Sequence, residues 1–295
     1  MTLENPDDLT IRVMTRQDLD LAIDWAAAEG WNPGLNDAAC FQAADPAGFL
    51  MGCLGDEPIA SISVVRYAGT FGFLGLYIVR PDRRGRGFGH RLWRAGMDSL
   101  ADRTVGLDGV VAQQENYRKS GFALAHRNVR FGGTPQVAAP RDEGLKRVSP
   151  EIVEAVLAYD RPFFPAPREA FLLFPAPREA FLRCWLKPEA RYAIAFVEDG
   201  IIKGYGVIRA CRSGSKIGPL FADGEREADL LFRALASEAN GGAVFLDLPE
   251  PNQAAVRLAA RYGLSPVFET ARMYRGAGPD LPLSRTYGIS TFELG

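Results

Sequence analysis

Residues 79–90 read Val-Arg-Pro-Asp-Arg-Arg-Gly-Arg-Gly-Phe-Gly-His, and the rest of the chain is interpreted from this stretch. An apolar run precedes it, and apolar residues recur at helical spacing from Gly87 to about Ala101. It is therefore a glycine-rich basic turn between a strand and a helix. The first N–H groups of a helix have no partner inside the helix, and the helix dipole favours an anion there. The pattern predicts a phosphate cradle from Arg84 to Gly89.

The composition is that of a soluble globular protein with room for two domains. Of its 295 residues, 47% are hydrophobic and 24% are charged. The formal net charge of -2 argues against a general nucleic-acid-binding protein, because such proteins need clustered positive charge. The N-terminus lacks the pattern of a signal peptide, and no apolar run is long enough to span a membrane. We therefore expect a cytoplasmic protein whose partners include neither nucleic acid nor membrane.

The cysteines and histidines are too few and too scattered for a zinc site of the ordinary type. Cys-x-x-Cys spacing is absent, so we predict no metal and expect the thiols to be free and buried. The residues concerned are Cys40, Cys53, Cys184, Cys211, His90 and His126.

The first half of the chain predicts a strand and two helices, followed by an antiparallel meander. Thr15 is a predicted N-cap, and short turns with glycine or proline separate the meander strands. The predicted elements are a strand at 11–14, helices at 15–30 and 36–44, strands at 48–54, 58–67 and 71–79, the cradle helix at 87–101, a strand at 104–110, a short helix at 113–120, and one bent strand or a strand pair at 123–131.

The second half repeats this order, which predicts two tandem copies of one fold. Its elements are strands at 192–198, 201–211 and 216–221, a helix at 225–239, a strand at 243–248, a helix at 252–262 and a strand at 267–273. Short segments within corresponding strands also match, since Gly106-Leu107-Asp108 corresponds to Phe245-Leu246-Asp247. We predict an α+β fold, an α/β sandwich of two similar domains, each a mixed, mostly antiparallel sheet flanked by helices. The predicted boundaries are 1–135 for the first domain, 136–147 for a linker, 148–278 for the second domain and 279–295 for a C-terminal tail.

A nine-residue repeat lies between the two halves. The sequence Phe-Pro-Ala-Pro-Arg-Glu-Ala-Phe-Leu occupies residues 164–172 and again residues 174–182. A recent tandem duplication or a cloning artefact explains it better than a docking element does. One copy suffices to begin a helix that ends near Leu186, with Pro167 or Pro177 in its first turn.

Two familiar phosphate-binding motifs do not fit the cradle. A dinucleotide-binding fingerprint requires a preceding parallel strand, whereas an antiparallel meander precedes this turn. A Walker loop requires Gly-Lys-Ser or Gly-Lys-Thr, which is absent. What remains is a meander, the pattern Arg-x-x-Gly-x-Gly, a helix, a strand and a short helix that carries Tyr117-Arg118-Lys119-Ser120-Gly121-Phe122. In this order and separation the chain resembles the GNAT superfamily of acyl-CoA-dependent N-acyltransferases.

The resemblance implies a coenzyme A site. The pyrophosphate would lie on the N–H groups of the cradle, and the pantetheine arm would lie alongside Ile78 and Val79, where N–H groups would polarise the thioester carbonyl. The cradle residues are Arg84, Gly85, Arg86, Gly87, Phe88 and Gly89. Tyr117 would protonate the leaving thiolate, and its alternative role is to pack the short helix onto the sheet. The superfamily's asparagine before this tyrosine has no obvious counterpart, because Val110 stands near that position.

Nearly the full length looks like the two-lobed YitH/HolE-like group of the superfamily. The matching segments are Glu29-Gly30-Trp31-Asn32-Pro33-Gly34, Leu107-Asp108-Gly109, Ile217-Gly218-Pro219-Leu220 and Phe292-Glu293-Leu294-Gly295. Trp31 and Asn32 resemble an acceptor-side loop that binds substrate, although Trp31 is equally well explained as a turn anchor. The sequence does not identify the general base. Glu29, Asp37 and Glu115 are candidates that would act through water, and each is also explained as a solvated or capping carboxylate.

The predicted function is transfer of an acetyl group from acetyl-CoA to a primary amine of a small metabolite, by direct attack in a ternary complex. In the second lobe the loop that corresponds to the cradle carries Asp223 and Glu225, which should repel a pyrophosphate. We therefore expect one coenzyme A site, in the first lobe, with the second lobe closing the acceptor site or serving structure. The alternatives are a non-catalytic acyl-CoA sensor and a protein N-acetyltransferase. A monomer and a homodimer are both compatible with the sequence.

Overall fold

The fold is described from a computed structural model, which covers residues 5–67, 70–164 and 177–295. The strands in these ranges are β1 (Leu9–Val13), β2 (Phe49–Leu54), β3 (Glu57–Arg66), β4 (Phe71–Val79), β5 (Thr104–Val110), β6 (Ala123–Gly133), β7 (Leu145–Arg147), β8 (Arg191–Glu198), β9 (Ile201–Ala210), β10 (Ser215–Ala222), β11 (Val244–Pro249), β12 (Ser265–Arg275) and β13 (Thr286–Gly288). The α-helices are α1 (Arg16–Ala28), α2 (Asp37–Ala44), α3 (Phe88–Asp98), α4 (Gln114–Lys119), α5 (Val153–Asp160), α6 (Pro177–Trp185), α7 (Glu225–Ser237) and α8 (Gln253–Arg261).

One continuous sheet runs through both lobes. Its strands lie in the order β1-β2-β3-β4-β5-β12-β6-β11-β10-β9-β8-β7, and β13 pairs with β10. In the first lobe β1 to β4 pair antiparallel and β4 runs parallel to β5. In the second lobe β7 to β10 pair antiparallel and β10 runs parallel to β11. The predicted meander and the predicted duplication of the fold are therefore confirmed.

The two lobes exchange their last strands. By sequence β6 belongs to the first lobe, but it pairs with β11 and β12. By sequence β12 belongs to the second lobe, but it lies between β5 and β6. β6 is also one strand, which decides between the single strand and the strand pair predicted at 123–131. The sheet thus passes from one lobe to the other through exchanged strands.

A matching buried ion pair accompanies each exchanged strand. Arg272 of β12 donates to Asp108 of β5 at 2.6 and 2.8 Å, and Arg130 of β6 donates to Asp247 of β11 at 2.6 and 2.8 Å. All four side chains are at most 6% exposed. Burial raises the pKa of Asp247, but Arg130 and Lys216 outweigh it and hold that pKa at about 2. Asp108 and Asp247, which occupy matching positions in the two halves of the sequence, therefore also have matching arginine partners.

The sheet carries helices on both faces, because alternate residues of a strand point to opposite sides. In β8, Ile194 and Phe196 join the core of the second lobe with α7 and α8, whereas Ala193 and Ala195 join a core that both lobes share. The helices α1, α2, α5 and α6 pack into the shared core, and α3 and α4 pack into the core of the first lobe. This is the α/β sandwich that the sequence predicts.

Two of the four cysteines form a disulfide, so the prediction of free thiols is wrong for them. Cys40 of α2 is bonded to Cys184 of α6, with their Cα atoms 5.3 Å apart. Cys53 and Cys211 are free and buried, as predicted. A separation of 144 residues leaves no spacing signal, and the bond depends on the packing of α2 against α6 in the shared core.

Three segments differ from their predicted roles or extend them. Part of the predicted linker, Leu145–Arg147, forms β7 and pairs with β8. Residues 286–294 of the predicted tail are all buried and include β13. The second copy of the nine-residue repeat supplies α6, which begins at Pro177 as predicted for one of the two prolines. Residues 165–176, which hold most of the first copy, lie outside the described residues.

Removing Arg130 should destabilise the chain, because the buried Asp247 loses two hydrogen bonds and keeps only Lys216, 3.6 Å away, as a cation partner among the described residues. We expect Arg130→Met to lower the free energy of unfolding by about 3–5 kcal/mol. The double variant Arg130→Met/Asp247→Asn should lose much less than the sum of the two single variants. Denaturant unfolding followed by circular dichroism measures these losses, with Arg127→Met on the exposed part of β6 as the control. If the loss of unfolding free energy in the double variant equalled the sum of the losses in the two single variants, Arg130 and Asp247 would not be energetically coupled.

Candidate active site

A cleft opens where β4 and β5 diverge. The two parallel strands are paired only over residues 71–74 and 104–107, and they separate beyond Leu74. The gap leads into a cavity of about 850 Å³, lined by both strands, by the loop before α3 and by α4. The predicted site residues in its wall are Trp31, Ile78, Val79, Arg84, Gly85, Gly87, Gly89 and Tyr117. The structure therefore brings most of the predicted residues together around one cavity.

The predicted cradle forms one end of this cavity. Gly85 and Gly87 have φ angles of +76° and +85°, which side-chain-bearing residues rarely adopt. A Cβ on Gly89 would lie 2.7 Å from Tyr77 Oη and 3.0 Å from Val79 Cγ2, so the start of α3 packs directly on β4. The N-cap residue of α3 is Gly87, which has no side chain to accept from the first N–H groups of the helix. The loop thus presents uncapped helical N–H groups to the cavity, as a phosphate site requires.

The charged side chains of the cradle are placed unequally. Arg84 lines the cavity, and its Nε donates to the Val79 carbonyl oxygen at 2.8 Å while its guanidinium pairs with Glu29. Arg86 is exposed and lies outside the cavity wall, and Phe88 is buried in the core of the first lobe. Arg84 therefore faces a ligand directly, whereas Phe88 anchors the helix beneath it.

A bulge in β4 lies beside the cradle. The register between β3 and β4 shifts at Leu76, which has a φ of +44°, and Ser61 Oγ donates to the Leu76 carbonyl oxygen at 2.8 Å. The Arg80 N–H donates to the Ile59 carbonyl oxygen in β3, so by alternation the N–H of Val79 faces the open side of β4. A donor is therefore available in the cleft at Val79, while the Ile78 N–H faces β3.

Tyr117 lies in the cavity wall on α4. Its ring stacks on Trp93 with the centroids 5.7 Å apart, and a Cβ on Gly109 would collide with it. Burial, with a smaller contribution from Tyr77, raises the pKa of Tyr117 to about 12. The phenol is therefore protonated at neutral pH, which is the state that a proton donor needs. The packing role and the acid role are compatible in this position.

The second lobe closes the inner end of the cavity. Phe268 and Thr270 come from the exchanged strand β12, and Phe292 and Glu293 come from the segment after β13. The rings of Phe268 and Phe292 are 6.0 Å apart, and the guanidinium of Arg130 lies over both. Sequence reasoning assigned these residues no role in the site. The sequence held one signal for this part of the site, because Glu293 is an acidic residue within the otherwise apolar segment 292–295.

The two residues predicted on the acceptor side lie in different places. Trp31 lines the cavity, and its carbonyl oxygen accepts from Arg130 Nη1 at 2.7 Å. Asn32 lies outside the cavity wall. Its amide donates to the Ser213 carbonyl oxygen at 2.9 Å and accepts from the Ser213 N–H at 3.0 Å. Asn32 therefore fastens the acceptor-side loop to the second lobe.

The three carboxylates considered as bases are all paired. Glu29 lines the cavity but forms its ion pair with Arg84. Asp37 is 1% exposed and bridges two arginines of the second lobe, one on β8 and one on β9. Glu115 pairs with a neighbouring arginine on α4 at the surface. Asp37 and Glu115 thus serve structure, and Glu29 positions a cradle cation.

The corresponding cleft of the second lobe is filled by the chain itself. β10 and β11 are paired over 215–217 and 244–246 and then diverge, as β4 and β5 do. β13 enters this gap and pairs with β10, and the Ile289 N–H donates to the Asp247 carbonyl oxygen at 2.8 Å. Asp223 of the cradle-equivalent loop accepts from Tyr159 at 2.8 Å and from Arg285 at 2.5 Å. The second cleft therefore holds a strand of this chain where the first has a cavity.

Comparisons with known proteins agree with this architecture. A model of the acetyltransferase (GNAT) family matches residues 16–122, and a model of an acetyltransferase (GNAT) domain matches residues 156–288. The holothin acyltransferase of Pseudoalteromonas sp. (strain SANK 73390) is 33% identical over 290 residues, which cover 97% of this chain and 94% of that protein. The chain therefore belongs to the GNAT acetyltransferase family.

Solved structures of similar fold include two-lobed proteins. The putative acetyltransferase from Pyrococcus horikoshii has a TM-score of 0.78 and 23% identity, with 98% of this chain and 96% of that chain covered. A tandem GNAT protein from the clavulanic acid biosynthesis pathway has a TM-score of 0.62 and 15% identity, with 92% and 99% covered. Together with the family matches, these likenesses make the chain an N-acetyltransferase with two GNAT domains in tandem.

None of its described helices is long and apolar enough to cross a membrane.

Calorimetric titration with coenzyme A should give one binding site per chain, because only the first cleft is open. Gly89→Ala should weaken binding roughly tenfold or more, since the new methyl would force the start of α3 away from Tyr77 and Val79. Gly224→Ala at the start of α7 is the matched control, because its methyl would meet only the flexible carboxylate of Glu227. Two equivalents of coenzyme A, or equal losses in both variants, would contradict this assignment.

Proposed function

We propose that this N-acetyltransferase transfers the acetyl group of acetyl-CoA to the primary amine of a small metabolite, by direct attack in a ternary complex. The proposal is carried by the open cleft of the first lobe, which runs from the glycine cradle to an aromatic pocket closed by the second lobe. A donor held at the cradle and an acceptor held in the pocket would meet at the bulge of β4. Holding both reactants in one cleft supplies the proximity that direct transfer needs.

The donor would be held by groups that already line the cavity. The N–H groups at the start of α3, together with Arg83 and Arg84, suit the charge of a pyrophosphate. Acetyl-CoA, when bound, supplies the thioester carbon that the amine attacks. The Val79 N–H would polarise the carbonyl oxygen. Tyr117, which burial keeps protonated, would give its proton to the leaving thiolate.

The shape of the inner end favours a small acceptor over a protein. A peptide acceptor needs an open groove beside the thioester, whereas Trp31, Phe268 and Phe292 wall this end of the cavity. The relative over nearly the full length is a holothin acyltransferase, so holothin is the first acceptor to try. We therefore place small amines before protein amines among the candidate acceptors.

Release of the coenzyme A thiol from acetyl-CoA tests this function. The panel contains holothin, amino acids, aliphatic and aromatic amines, and a lysine-containing peptide. We expect thiol release with at least one small amine and none with the peptide. A chain that binds coenzyme A but releases no thiol with any acceptor would be a sensor. Turnover with the peptide alone would make it a protein acetyltransferase.

Tyr117→Phe tests the proton donor, because it keeps the ring on Trp93 and removes only the hydroxyl. We expect kcat to fall roughly a hundredfold at saturating substrates, with the coenzyme A affinity and the melting temperature nearly unchanged. Tyr262→Phe, directly after α8, is the matched control, since its hydroxyl bonds to Asp229 in the second lobe. Full turnover by Tyr117→Phe would leave this tyrosine with a packing role alone.

A further inference from the structure

An acidic residue without a partner lies at the inner end of the cleft. Glu293 lines the cavity and is 4% exposed, and its Oε1 makes no hydrogen bond with any described residue. No ion pair joins it to a cation in the described part of the chain either. Leaving a buried carboxyl unsatisfied is costly, so a native example calls for an explanation. A ligand that supplies the missing donor is one.

Glu293 is held beside the bulge of β4. Its backbone carbonyl packs so closely on Gly75 that a Cβ there would collide with it, and Gly75 directly precedes the bulge residue Leu76. The next residue is also fastened: the Leu294 carbonyl oxygen accepts from Tyr67 Oη at 2.9 Å. Glu293 is therefore fixed near the place where a bound thioester would meet an acceptor.

The neighbouring walls indicate what the acceptor is like. Thr270 Oγ1 is also buried without a hydrogen-bond partner among the described residues. The rings of Trp31, Phe268 and Phe292 line the same cavity. An aromatic pocket with one carboxyl and one hydroxyl fits a flat apolar body that carries a single amine.

We infer that Glu293 is the catalytic base that binds the acceptor's ammonium group and takes its proton, and that the acceptor is an alkylamine carried on a flat aromatic or heteroaromatic ring. This inference rests on the proposed function and deepens it, because the base and the acceptor class are what the cradle and Tyr117 leave undefined. It also gives a role to the C-terminal segment, whose acidic residue sequence reasoning left without one.

The proton transfers balance. The acceptor ammonium gives one proton to the Glu293 carboxylate, which leaves a neutral amine. The amine lone pair forms the C–N bond while the C–S bond breaks, and the departing thiolate takes the Tyr117 proton. The amide nitrogen then loses its second proton, which restores Tyr117, and Glu293 releases its proton to solvent. The net products are the amide, coenzyme A and one proton.

The charges around Glu293 determine the pH at which it works. Burial raises its pKa above that of an ordinary glutamate, and Asp37 of α2 adds to the rise. Lys216 of β10, Arg130 of β6 and Arg209 of β9 oppose it without reversing it. The carboxylate form is lost as the pH falls through this raised pKa. Activity should therefore fall on the acidic side at a higher pH than an exposed glutamate would give.

Glu293→Gln tests the base, because it keeps the size of the side chain and cannot accept the proton. We expect kcat to fall roughly a hundredfold and the acidic limb of the pH profile to disappear, with coenzyme A affinity and melting temperature unchanged. Glu269→Gln is the matched control, since it makes the same change on β12 at a carboxylate that is 43% exposed. Wild-type kcat and an unchanged acidic limb in Glu293→Gln would overturn the inference.

A binding measurement separates this inference from the proposed function. Benzylamine and tryptamine are titrated calorimetrically into the coenzyme A-bound chain at neutral pH. We expect binding to the wild type and roughly tenfold weaker binding to Glu293→Gln. Such binding without any thiol release would remove the proposed function and keep the amine site. Equal affinity in the two chains, or no binding of either amine at millimolar concentration, would overturn the inference even if other acceptors turn over.

Discussion

The exchange of β6 and β12 is the constraint on which the rest of this molecule depends. Each exchanged strand brings one arginine onto an aspartate of the other lobe, and both pairs are buried. Buried charges are expensive to desolvate, so any arrangement that separates one of these arginines from an aspartate partner is penalised. The exchange also delivers Phe268 and Thr270 to the cleft of the first lobe. The first lobe's cleft is thus incomplete without a strand of the second.

The segment from Thr286 onward accounts for the structural difference between the clefts of the two similar lobes. Both lobes keep a register shift in the strand next to their cleft, at Leu76 in β4 and after Ile217 in β10. In the second lobe β13 and the residues that follow occupy this place, and the Ile289 carbonyl would collide with a Cβ on Gly218. In the first lobe the same segment only reaches Gly75 and leaves the cleft open. The segment from Thr286 onward therefore fills the cleft of the second lobe and forms part of the wall of the cleft in the first lobe.

Local patterns predicted most of the elements and one half of the site. The meander, the cradle with its left-handed glycines and Tyr117 follow one another between residues 49 and 117, where spacing and turn chemistry are informative. The rest of the cavity wall comes from Trp31, β12 and the terminal segment, which are far apart in sequence. Asn32 and Asp37 show the same limit, because Asn32 lies in a loop and Asp37 begins α2, while the partners of both lie in the second lobe. The disulfide between α2 and α6 escaped prediction for this reason as well.

The sequence by itself determined the order of elements, the duplication and the position of the cradle, because periodicity, glycine and helix-start chemistry act over a few residues. It also carried the acidic loop at Asp223 that distinguishes the second lobe. Only the tertiary structure decided which lobe each last strand joins, because the residue patterns of β6 and β12 do not identify the strands beside which they lie. It likewise decided that Glu293, in the cavity wall, has no hydrogen-bond partner for its Oε1 among the described residues. Whether a buried carboxyl finds a partner depends on atoms brought together from distant segments, and a one-dimensional pattern does not contain that information.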